Sequence, residues 1–389
     1  MPPALKSFVR FFTSLRLTVV LLTLSLVLIF IATLDQVNLG VWAVQQKYFR
    51  SLFVMARFSG TNVAVPVFPG GYFIGGLLLL NLVAAHAYRF RLEWKKSGIW
   101  LAHFGLILLL LGELFTGLWQ REGLMRLDAG ATKNFCESSL KIELAVIDTT
   151  DPKFDDVVAI PEGALEKMTA LQYPKLPFTI RTVLYYPNSA LQMRSQMPNA
   201  APSPADQGFG PQFVAIPQPL TDKQDEQNTP TAFVELAGPE GRIGIWLVST
   251  LLTEPQSFPY QGRTWELDLR PTRYYQPFSI TLLKFSHDVY PGTDIPKNFS
   301  SRIRLHSADG RVDREVLIYM NNPLRYGGLT FYQAGYENND RTSILQVVRN
   351  PSWVLPYISC ALMALGLVIQ FGIHLTGFMR QRAAAAATV

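Results

Sequence analysis

Cysteine is scarce in this chain of 389 residues: only Cys136 and Cys360 occur. No Cys-x-x-Cys is present, which excludes thiol–disulfide exchange by such a motif. No Cys-x-x-Cys-His is present either, so the chain is not itself a c-type cytochrome. Cys136 falls near the start of a long polar stretch and Cys360 inside an apolar run, so the two are not expected to pair. Charge is also sparse, at 16% Asp, Glu, Lys and Arg, while 49% of the residues are hydrophobic. A low charged fraction with long apolar runs points away from disorder and toward a membrane protein.

Four runs are long enough to cross a hydrocarbon core of about 30 Å at 1.5 Å per residue. They are Leu17–Leu34, Gly70–Tyr88, Gly98–Gln120 and Trp353–Met379. The first lacks a small-x-small cleavage site before Asp35 and is longer than a usual signal-peptide core, so it reads as a retained span. Basic residues flank the spans on one side. Lys6, Arg10 and Arg16 precede the first span, and Arg89, Arg91, Lys95 and Lys96 fill the loop between the second and third. Arg380 and Arg382 follow the fourth, and Glu93 is the one acid among them. The positive-inside rule makes these stretches cytoplasmic. They hold a net charge of +8 against +6 for the whole chain, which leaves −2 elsewhere. The basic balance is thus explained by topology, and a nucleic-acid partner is not expected.

The expected layout is a membrane α-helical part of four spans plus a large extracytoplasmic, mainly-β domain. Residues 1–34 form the cytoplasmic N-terminus and first span, and 35–69 a short external segment. Residues 70–120 hold spans two and three with their basic loop. The β domain covers 121–350, and 351–389 the fourth span and cytoplasmic tail. Within the β domain, runs rich in Val, Ile, Thr, Tyr and Phe bounded by turn residues predict strands. They are Lys141–Ile147, Phe178–Tyr186, Thr231–Leu236, Arg242–Ser249, Thr264–Leu269, Phe278–Phe285, Ser301–His306, Glu315–Tyr319, Leu329–Tyr336 and Ser343–Val348. No helical periodicity separates them, which favours a sandwich or open barrel. Residues 187–230, rich in Pro, Gln, Asn and Ala, read as a mobile insertion.

Five histidines occur, and three lie in or beside the spans, all toward the cytoplasmic side: His86, His103 and His374. Ionisable groups in a bilayer are functional candidates by default, and imidazole is a common axial ligand of haem iron. His103 lies about 7.5 Å into the third span and His374 about 9 Å inside the same boundary of the fourth. Two depth-matched imidazoles on different helices suit one haem iron, or a handover of it. The bland readings are a hydrogen bond across the helices for His103 and a snorkelling side chain for His374. His86, three residues before Arg89, reads as solvated at the interface. His287 and His306 fall in strands or their ends and are assigned no role. Glu113, about 15 Å along the helix from His103, is protonated, paired or lining a polar path. The aromatic block Tyr326, Phe331, Tyr332 and Tyr336 invites a stacking role, but sheet packing is the simpler account.

The segment Asn322-Pro-Leu-Arg-Tyr-Gly-Gly-Leu-Thr-Phe-Tyr-Gln-Ala-Gly-Tyr336 resembles the signature of the ResB/CcsB family of cytochrome c biogenesis proteins (system II). Pro277–Phe285, Tyr290–Thr293, Pro296–Ser300 and the N-terminal Ser14–Thr18 are similar to the family as well. The context Ala102-His-Phe-Gly105 looks like the family's membrane histidine. The resemblance implies a bacterial inner-membrane assembly factor that moves or presents haem b for attachment to apocytochrome c. It implies a ResC/CcsA-type polytopic partner carrying a Trp-rich motif. The seven tryptophans here, Trp42, Trp94, Trp100, Trp119, Trp246, Trp265 and Trp353, are scattered, so that motif belongs to a separate chain. A thioredoxin-like thiol reductant is a further partner in that setting. The chain is expected to be no enzyme by itself, but part of a haem-lyase complex. Two rival readings stand beside this one. One is a bis-His b-haem redox subunit, which would want a second ligand pair in the outer half. The other is a haem-free scaffold that recruits apocytochrome and the partner.

Overall fold

The computed structural model describes residues 9–57, 64–89, 93–221, 227–293, 296–338 and 340–386. Contacts divide the chain into two units, one from residues 1–120 with 350–389 and one from 121–221 with 226–349.

The first unit holds four helices, α1 (Leu15–Val44), α2 (Gly71–Arg89), α3 (Ser97–Trp119) and α4 (Leu355–Ala386). Among the described residues these are the four helices long and apolar enough to cross a membrane. Ser14 caps α1, its Oγ accepting from the Arg16 N–H at 3.2 Å. The helix runs beyond the expected Leu34, breaks at Gly40, and ends in a π-turn over Gln45–Phe49. The hairpin of β1 (Phe53–Arg57) and β2 (Ala64–Pro69) then leads into α2.

The helices pair in two ways. Between α1 and α2, Leu21, Leu28 and Ala32 pack with Ile74. Buried Asn81 ties the two helices: its Oδ1 accepts from Thr18 Oγ1 and its Nδ2 donates to the Phe12 carbonyl, both at 2.6 Å. Between α3 and α4 the contact is backbone to backbone. Gly98, Gly105 and Gly112 recur every seven residues and form the buried stripe of α3. A Cβ at Gly98 would lie 2.4 Å from the Gly366 carbonyl oxygen, and one at Gly105 2.8 Å from that of Ser359. Small residues are what permit this approach, because apolar lipid supplies no hydrophobic drive for helices to pair.

The second unit is β structure. Its strands are β3 (Arg121–Asp128), β4 (Thr132–Asp148), β5 (Asp156–Pro161), β6 (Ala170–Leu171), β7 (Thr179–Tyr186), β8 (Ser189–Met193), β9 (Phe213–Pro217), β10 (Thr231–Gly238), β11 (Gly241–Ser249) and β12 (Gln256–Tyr260). They continue with β13 (Arg263–Val289), β14 (Pro296–Ser307), β15 (Asp313–Tyr319), β16 (Leu324–Tyr326), β17 (Leu329–Glu337) and β18 (Thr342–Arg349). The main antiparallel sheet runs β15-β14-β13-β4-β3-β18-β17-β16, with β12 on β13 and β5 on β4. It curls into a nearly closed, barrel-like form around Met125, Leu127, Ile280, Ile303, Phe331 and Leu345. A second sheet, β11-β10-β7-β6, contributes to a separate core with Val146, Phe178, Val234, Trp246 and Trp265. Sandwich and barrel are thus both present.

Strands β4 and β13 serve both cores. The expected runs Thr264–Leu269 and Phe278–Phe285 are one strand, bent where its register on β4 shifts near Pro271 and between Tyr275 and Ile280. Bends of this kind let one strand leave one core and enter another. Residues 187–230, read above as an insertion, hold the β8–β9 hairpin, with Phe213 and Ala215 packed around Phe233 and Leu247. Residues 222–226 lie outside the described residues.

Candidate functional site

Helices α2 and α3 bring His86 and His103 together. Their ring centroids are 4.7 Å apart at 46°. The edge of Trp100 meets the His86 ring at 5.3 Å and 81°. His86 sits in the last turn of α2 and is only 7% exposed. This differs from the solvated position expected of it. Counting residues to Arg89 locates depth along the helix but not rotation about it, and α3 covers that face.

Each ring is oriented by its own helix. His86 Nδ1 lies 2.8 Å from the Leu82 carbonyl oxygen, and His103 Nδ1 lies 2.8 Å from that of Ile99. A carbonyl only accepts, so both Nδ1 atoms carry the proton, and in the neutral rings both Nε2 atoms carry the lone pair. A hydrogen bond from the non-ligating nitrogen to a carbonyl is the usual support of a metal-bound histidine. Among the described residues no group of three or more His, Cys, Asp or Glu could hold a bare metal ion. Imidazole nitrogens are of the donor type that can take an axial position on haem. Rings 4.7 Å apart leave no room for a porphyrin between them, since two van der Waals gaps of about 3.5 Å would be needed.

His374 does not join this pair. Its Nε2 accepts from Gln370 Nε2 at 3.0 Å. Gln370 also donates to the Lys95 carbonyl and accepts from the Ile99 N–H, each at 3.3 Å, so it staples α4 to the start of α3. The α3 face toward α4 is the glycine stripe, and His103 is about 140° around the helix from Gly98. Equal depth in the sequence thus did not mean a shared site. Glu113 is on the exposed surface of α3. Cys136 is buried and Cys360 exposed, and neither forms a disulfide.

Sequence reasoning missed Trp100 and Gln370. The seven-residue glycine spacing was the signal that could have oriented α3, and through it both residues. In the β unit, His287 stacks on Tyr336 at 4.4 Å and lies 3.2 Å from an Asp340 carboxylate oxygen. Phe285 and Phe299 flank Tyr336. The aromatic block is sheet and core packing.

Residues 260–344 match the family model described as ResB-like. That segment is thus similar to the ResB-like family. It covers β13 to β17 and so the greater part of the barrel core. It includes both Pro277–Phe285 and Asn322–Tyr336. Protein NrfI of Wolinella succinogenes is 23% identical over 300 residues, which is 75% of this chain and 29% of that protein. The chain therefore spans less than a third of that relative's length.

Proposed function

We propose that this chain is an assembly factor for c-type cytochromes that presents haem b for attachment to apocytochrome c. The observation that carries this reading is the His86–His103 pair, with both Nδ1 atoms held on helix carbonyls, the usual support of a metal-bound imidazole. His103 would supply the axial nitrogen. His86, one ring away, would be the alternative donor once the rings part. Trp100 would wall the site with an apolar plane. Haem brings the chemistry of attachment in its vinyl groups, and the client brings the thiols, so this chain needs no nucleophile.

In this reading the four helices lie in a bacterial inner membrane, with the basic loop at the cytoplasmic face and the β unit in the periplasm. A ResC/CcsA-type polytopic chain is the partner, completing a haem-lyase complex, and a thioredoxin-like protein keeps client thiols reduced. Exposed Glu113, which makes no hydrogen bond or ion pair among the described residues, is a polar point that such a partner would cover. A bis-His redox subunit is less well supported, because the helices hold no second facing histidine pair among the described residues.

The test is the complex purified with its partner, read by haem absorbance and by cytochrome c levels in the cell. His103→Ala is expected to remove most of the haem band and lower cytochrome c about tenfold or more. His86→Ala should weaken both, and His374→Ala should leave the band in place. Unchanged haem and cytochrome c in the His86→Ala/His103→Ala double variant overturns the reading.

A further inference from the structure

The barrel half of the β unit has a second place suited to a ligand, distinct in chemistry from the histidine pair. A cavity of about 420 Å³ opens where β3 begins and β18 ends. Ligand pockets of this size occur in the mouths of β-barrels.

Its rim carries three arginines, two of which make no ion pair among the described residues. Arg121 and Arg349 stand directly opposite one another in the β3–β18 register. Like charges in that relation destabilise a strand pair. Among the described residues neither makes an ion pair, and both are exposed at the mouth. Arg273 completes the rim. Its guanidinium covers the Phe135 ring at 4.5 Å, and its Nε donates to Glu137 at 3.1 Å. The lining holds one carboxylate, Glu122, which accepts from the Gln346 amide. Two facing arginines therefore have no protein anion to neutralise them.

The floor is apolar. Val347 and Leu329 are 2% and 7% exposed, and the Cys136 thiol beside them is 4% exposed. Burial pushes that thiol up to about 11, so it is uncharged at neutral pH. Tyr274 and Tyr275 add aromatic surface, and Tyr275 is 54% exposed. An inorganic anion would use the arginines and leave the floor and the tyrosines idle. The combination suits a flat amphiphile with carboxylates at one edge.

We propose that the barrel mouth binds the propionate edge of a porphyrin, with Arg121 and Arg349 holding its carboxylates and the Val347–Leu329 floor and Tyr275 contacting the ring. This rests on the haem reading above and adds a docking point in the β unit. The cavity takes the carboxylate edge and leaves the opposite edge outside, where a client's thiols can reach it.

Iron-free protoporphyrin IX separates this site from the histidine pair, because it has carboxylates and no metal to ligate. Its fluorescence is titrated against the full chain in phosphatidylcholine nanodiscs. Saturable binding is expected, about tenfold weaker in Arg121→Gln/Arg349→Gln and retained in Arg121→Lys/Arg349→Lys. His86→Ala/His103→Ala should bind the probe as the unaltered chain does. The dimethyl ester of the probe, tested on the unaltered chain, should bind about tenfold more weakly. Equal affinity for the ester, or undiminished binding in the Gln variant, overturns the proposal. Binding abolished by phosphatidylglycerol in the nanodisc also overturns it, and assigns the mouth to a lipid headgroup. Failure here leaves the histidine reading standing, since that reading fails only when haem content ignores His86 and His103.

Discussion

Local capping is prominent in the helical unit, beside the cross-helix bonds of Asn81 and Gln370, whereas the β unit pairs polar groups mainly across strands. In the helices, the hydroxyls of Thr23, Ser25, Thr33, Ser359 and Thr376 donate to the carbonyl four residues back, as do both site histidines. In the β unit, polar groups meet partners far away in sequence. Arg270 pairs with Glu143 directly across β13 and β4, Arg273 with Glu137, and Ser301 with Gln333 and Ser343. The difference follows from backbone geometry. A helix presents carbonyls alongside its own side chains, whereas a strand commits its carbonyls to the neighbouring strand. Self-capping uses up donors and leaves acceptors, which suits nitrogen ligands for a metal. Cross-strand pairing uses up both, so an arginine pair left without an anion stands out.

The comparison can be broken most severely at the glycine stripe. Gly98→Leu forces a side chain against the Gly366 backbone, where no rotamer gives relief. The expected result is loss of α3–α4 pairing and of most folded protein in the membrane, checked by the amount of monodisperse chain after extraction. Next is the buried ion pair, with both side chains under 8% exposed. Glu143→Leu leaves buried Arg270 only Asp268, at 3.4 Å, and should cost about 3 kcal/mol. Adding Arg270→Met should recover most of that loss. Melting curves of the single and double variants decide it, and equal destabilisation in both would show that the pair is not the cause.

A smaller effect concerns Cys136. Its folded pKa lies above the ordinary thiol value of 9.0, so the folded state favours the protonated form. Its contribution to stability is complete below pH 9 and is lost as pH rises toward about 11. In a Cys360→Ala background, maleimide labelling of the folded chain should thus be slow at pH 7 and accelerate steeply above pH 9, while denatured chain labels quickly throughout. The smallest effect is at the surface. Arg304 holds the Asp313 carboxyl below the usual range through two hydrogen bonds of 2.6 Å. Arg304→Ala should let Asp313 titrate nearer its ordinary value, seen by NMR of the carboxyl carbon, with little change in melting temperature.

Much of this was legible before the structure. The four helices follow from run length alone, within a few residues at most ends, because the bilayer demands about twenty apolar residues whatever the fold. Most long strands follow from β-branched and aromatic runs. Strands β3, β5, β6, β8, β9, β12 and β16 of the β unit were missed, most because so few residues carry no period, and β3 because charged Arg121, Glu122, Arg126 and Asp128 interrupt its apolar residues. The packing around the histidines was only partly legible. Depth and context singled out His103 and paired it with His374, whereas the ring packed against His103 is that of His86. Depth is one coordinate on a cylinder; rotation is the other, and it is set by Gly98, Gly105 and Gly112 facing α4. The arginine mouth was not legible, since Arg121 and Arg349 are 228 positions apart and meet only through strand register.

That register has a further consequence. The β unit leaves α3 at Arg121 and returns toward α4 from Arg349, and these two residues are direct partners across one strand pair, about 5 Å apart. The unit is therefore an insertion whose two ends nearly touch, spliced into a helical hairpin. A segment with adjoining ends can be cut out and closed by a short linker, or re-opened elsewhere, without rerouting either part. Excising or re-closing the β unit is therefore a matter of joining neighbouring ends.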